Sequence, residues 1–221
     1  MNIKICHISD THDCPNIALG AAREPVDVIV LSGDLMANRG RIGGLGILPD
    51  LERIYQTNWV QGSNRIASWA KAFGETPVVI VDGNHDFISM ANPLRDAGCN
   101  VYHITAENPC ITVAGVRFAG FREIPWIAGE WMGETHNQRE AIDRAFDCDP
   151  QILVTHGPPA GILDGPNGYG SAPLTTALAY RGDRIKAHLF GHAHEGCGMA
   201  QTMGISFSNA AGVCRVIEVA L

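Results

Sequence analysis

A cluster of polar residues, Asn84, His85 and Asp86, directly follows a stretch of β-branched residues at positions 78–81. These side chains could do chemistry: an amide oxygen can bind a metal ion, an imidazole can transfer a proton, and a carboxylate can fix the tautomer of an imidazole. The apolar stretch is typical of a central strand that is covered on both faces. Because Gly-Asn-His-Asp could equally form a polar turn, this cluster alone leaves both interpretations open.

The same pattern, an apolar stretch that ends in Asp, Asn or His, occurs at five places in the chain. Besides the cluster at 84–86, the residues that follow such stretches are Asp10, His12, Asp34, His156, His192 and His194. A glycine lies within one residue of the polar side chain in four of the five places, which lets the backbone bend sharply and approach an ion closely. Open α/β sheets gather their ligands at the carboxyl ends of strands. Each segment alone could be a polar loop, but five such endings together predict a single site.

The side-chain types indicate which metal ions this site would bind. Carboxylate and amide oxygens mixed with imidazoles suit Mn, Fe or Zn, whereas thiolates suit structural Zn. The seven candidate ligands are Asp10, His12, Asp34, Asn84, His156, His192 and His194. They are too many for one transition-metal ion, and they fit two ions that share a carboxylate and lie roughly 3.5–4 Å apart, the spacing used in phosphoryl displacement. We therefore predict a dinuclear metal centre, with Mn as the activating metal.

The order of these motifs resembles the signature of calcineurin-like metallophosphoesterases. The motifs are Asp10-x-His12, Gly33-Asp34, Gly83-Asn84-His85-Asp86, Thr155-His156-Gly157 and Gly191-His192-Ala193-His194. They span nearly the whole sequence, so the resemblance covers essentially all of the chain. The block Thr155-His156-Gly157-Pro158-Pro159, with Gly161 and Asp164 after it, is similar to the small metallophosphoesterase-domain proteins linked to cyclic nucleotide phosphodiesterase activity.

The resemblance implies a role for each motif residue. Asp10, His12 and His194 would hold one metal ion, and Asn84, His156 and His192 the other, with Asp34 bridging the two. His85 would donate a proton to the leaving oxygen or stabilise the phosphoryl charge, and Asp86 would orient His85. A water activated by the two ions would attack phosphorus in line with the departing alkoxide. The other histidines match no motif and are expected to be structural: His7, His103, His136 and His188.

Composition and element order predict one α/β domain over residues 1–221. The 46% hydrophobic and 18% charged residues are typical of a soluble globular protein. Predicted strands alternate with helices early in the chain and hairpins follow later, which indicates a mixed sandwich with helices outside. The resemblance makes this a four-layer αββα sandwich of two mixed β-sheets flanked by helices. The tail, residues 199–220, is predicted to form a hairpin that closes the second sheet.

The charge and the cysteines bear on partners and compartment. A formal net charge of -7, without any cluster of Lys or Arg, disfavours duplex nucleic acid, whose binding depends on cations that neutralise phosphates. The seven cysteines form no C-x-x-C pair and are predicted to be reduced, mostly buried thiols. No apolar stretch approaches the length of a membrane span and no signal peptide is expected. These features predict a cytoplasmic protein that is not associated with a membrane.

Two long loops are predicted to border the site. Residues 37–62 lack periodicity and leave directly from Asp34, so they are expected to form part of the pocket wall. Arg39 or Arg41 could meet a phosphate there, although solvated loop arginines are the commoner case. In the loop 122–131, Trp126 and Trp131 could each stack on a ring of the substrate or merely anchor the loop, and the sequence favours neither alternative.

The predicted function is hydrolysis of a small phosphodiester, such as a cyclic nucleotide or a related nucleotide ester. The expected partner is thus a small phosphoester substrate. Three alternatives remain open at this stage: a phosphomonoesterase or protein phosphatase, a nuclease of the same superfamily, or a metal-binding interaction scaffold.

Overall fold

Two β-sheets lie face to face with helices on both outer faces, so the predicted four-layer αββα sandwich of mixed sheets is confirmed. The structure is a computed structural model that describes residues 2–18, 20, 24–40, 46–62 and 64–221.

The first sheet contains five strands, four of which run parallel. The strands are β1 (Asn2–Ser9), β2 (Val28–Leu31), β3 (Val78–Ile80), β4 (Val101–His103) and β13 (Val213–Ala220). Their spatial order is β13-β1-β2-β3-β4, with Ile5 opposite Val28 and Ile29 opposite Val78, and β13 pairs antiparallel to β1. The parallel strands β1, β2 and β3 therefore all end at one edge of the sandwich.

The second sheet contains six strands. They are β5 (Cys110–Val113), β6 (Val116–Phe121), β9 (Ile152–Thr155), β10 (Ala187–Phe190), β11 (Gly198–Thr202) and β12 (Ile205–Asn209). Their order is β11-β12-β10-β9-β6-β5, and the four inner strands run parallel. A separate two-stranded ribbon consists of β7 (Ile124–Pro125) and β8 (Glu134–Thr135).

The alternation of side chains along each strand explains why the sheets are covered on both faces. In β2, Val28 and Val30 belong to the apolar cluster between the sheets, whereas Ile29 and Leu31 belong to the cluster under the helices. All four are at most 1% exposed. A strand that is buried on both faces reads as a continuous apolar run, which is the pattern from which the central strands were predicted.

In the part of the chain that the structure describes, six α-helices flank the sheets. They are α1 (Pro15–Ala18), α2 (Pro49–Gly62), α3 (Arg65–Phe73), α4 (Ala91–Asp96), α5 (Arg139–Phe146) and α6 (Ala172–Arg181). In α3, Ile66, Trp69 and Phe73 face the first sheet, as the periodicity predicts. Within the described parts of the chain, no helix is both long and apolar enough to cross a membrane.

Several predicted element boundaries are wrong. The second half of the aperiodic stretch 37–62 forms the 14-residue helix α2. From the sequence, Asn92 with Pro93 after it is expected to cap a short helix, but Asn92 lies inside α4, whose first flanking residue is Met90. Ser63, which the sequence offers as the cap of a helix that ends near Phe73, lies outside the described residues. The last strand, β13, pairs with β1 in the first sheet, and does not form a hairpin in the second sheet as predicted.

The prediction that all cysteines are reduced is wrong for two of them. Cys110 and Cys148 form a disulfide across 38 positions of sequence. Cys110 opens the edge strand β5, and Cys148 follows α5, which packs on the neighbouring strand β6. The two thiols meet because of this packing, and their sequence spacing gives no sign of it.

Candidate metal centre

The seven predicted metal ligands lie together at the edge where strands of both sheets end. Asp10 directly follows β1, His156 directly follows β9, and the remaining ligands lie two to four residues beyond β1, β2, β3 and β10. Because parallel strands deliver their carboxyl ends to one edge, the residues converge although they are far apart in sequence. The structure thus brings together every ligand that was predicted.

Asp10, His12 and His194 form the first group. The Asp10 Oδ1 atom is 3.9 Å from His12 Nε2 and 3.4 Å from His194 Nε2. The imidazole rings of His12 and His194 are stacked, with centroids 5.3 Å apart. Three donor atoms therefore face a common point, as the predicted first metal site requires.

Asn84, His156 and His192 form the second group. The Asn84 Oδ1 atom lies 2.7 Å from His156 Nε2 and 2.9 Å from His192 Nδ1. The Asp34 Oδ2 atom is 3.3 Å from His156 Nε2 and 3.9 Å from His12 Nε2. Asp34 thus lies between the two groups, where a bridging carboxylate is expected.

The chemistry of these groups fits transition-metal ions. Oδ1 of Asp10 is buried and finds no hydrogen-bond partner within the described part of the chain, and a buried carboxylate oxygen needs a compensating contact. Two sets of donor atoms, one from Asp10, His12 and His194 and one from Asp34, His156 and His192, each lie within 4.8 Å of one another. Mixed carboxylate and imidazole donors suit Mn, Fe or Zn.

Carboxylates and imidazoles at the site shift the pKa of one another. Burial raises the pKa of Asp34, but the imidazoles of His156, His85 and His12 outweigh burial and hold that pKa below its usual value. Burial likewise opposes protonation of His156, yet the carboxylates of Asp34 and Asp10 outweigh it and raise the pKa of His156 to about 9. The carboxylates of Asp34 and Asp10 thus favour positive charge at His156, and a metal ion that binds this imidazole would displace its proton.

Four of the predicted ligands have a left-handed backbone. The φ angles are 51° at Asp10, 39° at His12, 54° at Asp34 and 66° at His192. Such angles are uncommon outside glycine and cost of order 1–3 kcal/mol each. Hydrogen bonds hold this conformation, including those from Asp10 N to Gly33 O at 2.9 Å and from His192 N to Asp10 Oδ2 at 2.9 Å. Strain that is concentrated at the ligands is typical of a functional site.

Two glycines of the motifs are required by close approach. A Cβ atom at Gly83 would overlap the Asp34 carboxylate, and one at Gly191 would overlap the carboxylate of Asp10. These glycines allow the backbone to lie directly against the metal ligands.

Asp86 does not orient His85 in the way that the resemblance implied. Its carboxylate accepts hydrogen bonds from the backbone N–H groups of Asp34 and Gly83 at 2.8 Å and of Leu35 at 3.0 Å. Asp86 therefore joins the loop after β2 to the loop after β3. It supports the ligand Asp34 through the backbone and makes its contacts away from the imidazole of His85.

Asn38, which sequence analysis missed, is the side chain that orients His85. Its Oδ1 atom is 2.6 Å from His85 Nδ1, and its Nδ2 atom donates to the His85 carbonyl at 2.9 Å and to Glu52 at 3.3 Å. Since the amide nitrogen is occupied as a donor, Oδ1 must accept, and Nδ1 of His85 carries a proton. Nε2 is then the nitrogen of His85 that is available to a substrate. Asn38 lies in an aperiodic stretch, so no sequence pattern marked it.

The two tryptophans of the loop 122–131 differ in environment. The Trp131 ring stacks on His85 with centroids 3.9 Å apart and also packs near Phe87. Trp126 is 54% exposed and packs against His136. Trp131 therefore anchors the loop and supports His85, whereas Trp126 keeps an open face.

The site opens into a cavity of about 300 Å³. Besides predicted residues, its lining includes Ile127, Tyr169 and Glu195, none of which was predicted. Arg39 is not among the lining residues and lies over the ring of Tyr55, 5.9 Å from its centroid. Arg41 is outside the described residues.

The fold and the metal centre define the class of protein. The chain belongs to the calcineurin-like phosphoesterase family, whose model matches residues 3–196. It is similar to metallophosphoesterase domain-containing protein 1 of Homo sapiens and of Mus musculus, with 34% identity over 113 residues that cover 48% of this chain and 33% of each relative. A UPF0046 protein of Caenorhabditis elegans is 31% identical over 105 residues, which cover 46% of this chain and 35% of the relative.

The chain spans about a third of the length of the curated relatives it matches. The predicted resemblance to calcineurin-like metallophosphoesterases and to the small metallophosphoesterase-domain proteins is confirmed.

Proposed function

We propose that this protein is a metal-dependent phosphoesterase that hydrolyses small phosphodiesters, in particular nucleotide esters such as cyclic nucleotides. The observation that carries this proposal is the pair of ligand groups that share Asp34, with His85 beside them. Asp10, His12 and His194 would hold one ion, and Asn84, His156 and His192 the second. When bound, Mn, Fe or Zn ions supply Lewis-acid stabilisation of the phosphoryl charge and a water of lowered pKa.

The chain's own residues contribute orientation and proton transfer. Asn38 fixes the tautomer of His85 through the 2.6 Å contact, and Trp131 supports the ring from one face. Because Asn38 holds the proton of the neutral ring on Nδ1, only the imidazolium form of His85 carries a second proton on Nε2. In that form His85 would stabilise the phosphoryl group or pass the Nε2 proton to the departing alkoxide oxygen, and it would return to the neutral Nδ1–H tautomer.

The lining of the cavity supports a phosphodiester over a phosphomonoester. Among the described residues that line it there is no Lys or Arg, whereas Glu195 lies at its rim. A phosphomonoester dianion is best recognised by paired guanidinium or ammonium groups, and a diester carries only one negative charge. The net charge of -7 also disfavours extended polyanions such as duplex nucleic acid.

Our proposed location is the cytoplasm, based on the buried thiols of Cys6 and Cys99, which lie outside disulfides. The Cys110–Cys148 disulfide counts against this location, because disulfides persist in oxidising compartments.

The test is a substrate screen with protein reconstituted with Mn. We expect two ions per chain and higher kcat/KM for an aryl phosphodiester and for 2′,3′- or 3′,5′-cyclic nucleotides than for an aryl phosphomonoester. Asp34→Asn should lower both metal content and activity, whereas Asp183→Asn, which changes an exposed carboxylate, should alter neither. One ion per chain, with an Asp34→Asn variant that keeps full metal content and activity, would contradict the dinuclear centre. A clear preference for the monoester would refute the substrate class.

A further inference from the structure

A second cavity, of about 240 Å³, lies beside the metal cavity. Ile127 and Tyr169 line the metal cavity, and their chain neighbours Trp126 and Gly170 line the second one. The same two loops therefore line both cavities. The ring of Tyr169 is held edge-on against the predicted ligand His192, with centroids 5.7 Å apart, so one of these loops contacts the candidate metal centre.

The second cavity has an aromatic and uncharged lining. Trp126 presents an indole that is 54% exposed, and His136 packs beside it with ring centroids 4.5 Å apart and an interplanar angle of 41°. The remaining described lining residues are Pro125, Thr135, Asn137, Gln138, Gly170, Ser171, Ala172 and Pro173. A phosphate or carboxylate would find no cation in this lining.

The buried polar groups of the lining are already used by the fold. The Ser171 hydroxyl accepts a hydrogen bond from Leu174 N at the start of α6. Gln138 Nε2 donates to Glu123 O at 2.7 Å. The largest exposed aromatic face in this lining is the indole of Trp126, and a planar aromatic ring is the group that gains most from such a face.

We propose that the second cavity receives a planar ring of the ester, such as a nucleobase, stacked on Trp126 while the phosphoryl group lies in the metal cavity. This inference rests on the proposed function, because it assigns the ring to the substrate of that reaction. Stacking requires no base-specific hydrogen bonds, so the subsite accepts purines and pyrimidines alike. Trp126 is here a specificity-determining residue that acts on binding of the ester and leaves the metal ligands untouched.

The kinetic test compares two substrates that differ only in the base. These are the cyclic phosphate of adenosine that the Mn-loaded wild-type chain hydrolyses fastest and the same cyclic phosphate of methyl riboside. For Trp126→Ala we expect KM for the adenosine ester to rise about 5- to 150-fold, which corresponds to about 1–3 kcal/mol of base stacking. KM for the methyl riboside ester and the metal content should stay unchanged. Trp126→Phe, which retains a ring, should recover most of the loss.

The matched control is Tyr180→Ala, which removes an aromatic ring that is 85% exposed near the far end of α6. It should leave both KM values unchanged. Equal changes in KM for the two esters in Trp126→Ala would overturn the subsite.

A binding measurement separates this inference from the proposed function. Calorimetry on the metal-loaded protein should show that adenosine 5′-monophosphate binds more tightly than ribose 5-phosphate, and that Trp126→Ala abolishes the difference. If the wild-type protein hydrolyses neither a cyclic phosphate nor an aryl phosphodiester, the proposed function fails and this measurement still decides the subsite. Equal affinity of the two ligands in the wild-type protein would overturn it.

Discussion

His188 should make the stability of the metal-free protein depend on pH in a way that a single substitution can isolate. The side chain is completely buried next to Phe190 and Phe207. The Thr155 hydroxyl donates to Gly157 O at 2.6 Å, so its oxygen accepts from His188 Nε2 at 2.8 Å. Nδ1 of His188 is buried and has no partner among the described residues. Protonation would place an uncompensated charge at this nitrogen.

The magnitude follows from the shift in pKa. Burial, with a smaller contribution from nearby His7, lowers the pKa of His188 from 6.5 to about 3. The unfolded chain therefore binds a proton at this residue below about pH 6.5, while the folded chain does not. The contribution of His188 to the free energy of unfolding is fully present above pH 6.5. It decreases by about 1.4 kcal/mol per pH unit as the pH falls toward 3. At pH 5 the loss from this one residue is about 2 kcal/mol, a large fraction of the stability of a typical domain.

The assay is urea unfolding of the metal-free wild-type protein and of His188→Gln, at pH 7.5 and pH 5. Glutamine can donate to Thr155 but does not titrate. His188→Gln lowers the free energy of unfolding by some amount at pH 7.5. We expect the decrease at pH 5 to be smaller by about 2 kcal/mol, because the wild-type protein itself loses that amount. Gln201→Asn, which changes an exposed side chain that does not titrate, should cost the same at both values. A cost of His188→Gln that is identical at pH 7.5 and pH 5 would refute the reasoning.

Two further predictions concern the catalytic loop and the close approach at the ligands. Asn38→Leu removes the acceptor of His85 Nδ1, and we expect kcat to fall about 100-fold, the usual cost of a misplaced catalytic group, with unchanged metal content. Asn38→Asp keeps that acceptor but loses the hydrogen bonds that Nδ2 donates to His85 O and to the buried Glu52, so it should recover only part of the rate. Loss of metal in Asn38→Leu would contradict the assignment. Gly83→Ala places a methyl group against the Asp34 carboxylate, whereas Gly62→Ala adds one in open space. Metal analysis should therefore find loss of bound metal only in Gly83→Ala, and normal metal content in that variant would show that the loop can move away.

The convergence of the candidate metal ligands could be predicted from the sequence because their signal is local. An apolar stretch such as residues 78–81 predicts a strand, and Asn84 shortly after it is the polar side chain at the end of that strand. Parallel strands bring their carboxyl ends to one edge whatever the details of packing. The convergence of Asp34 and His156 at 3.3 Å is therefore a consequence of strand order.

The orientation of His85 was decided only by tertiary structure. Asn38 reaches it from an aperiodic segment, and Trp131 reaches it from a loop 46 positions further along the chain. No periodic sequence pattern predicts either contact. Each one depends on how two loops pack, and not on the regular spacing of residues in a strand or helix. For the same reason the resemblance assigned this role to Asp86, the immediate neighbour in sequence.

Long-range pairing accounts for the other differences. β13 joins the first sheet because its residues pair with β1, over 200 positions away, and the Cys110–Cys148 disulfide forms because α5 packs beside β6. The sequence by itself determined which residues are apolar, which side chains can bind metal, and where strands end. Only the folded chain decided which elements are neighbours, because that choice depends on the burial of whole faces and is not recorded in the spacing of residues along any one segment.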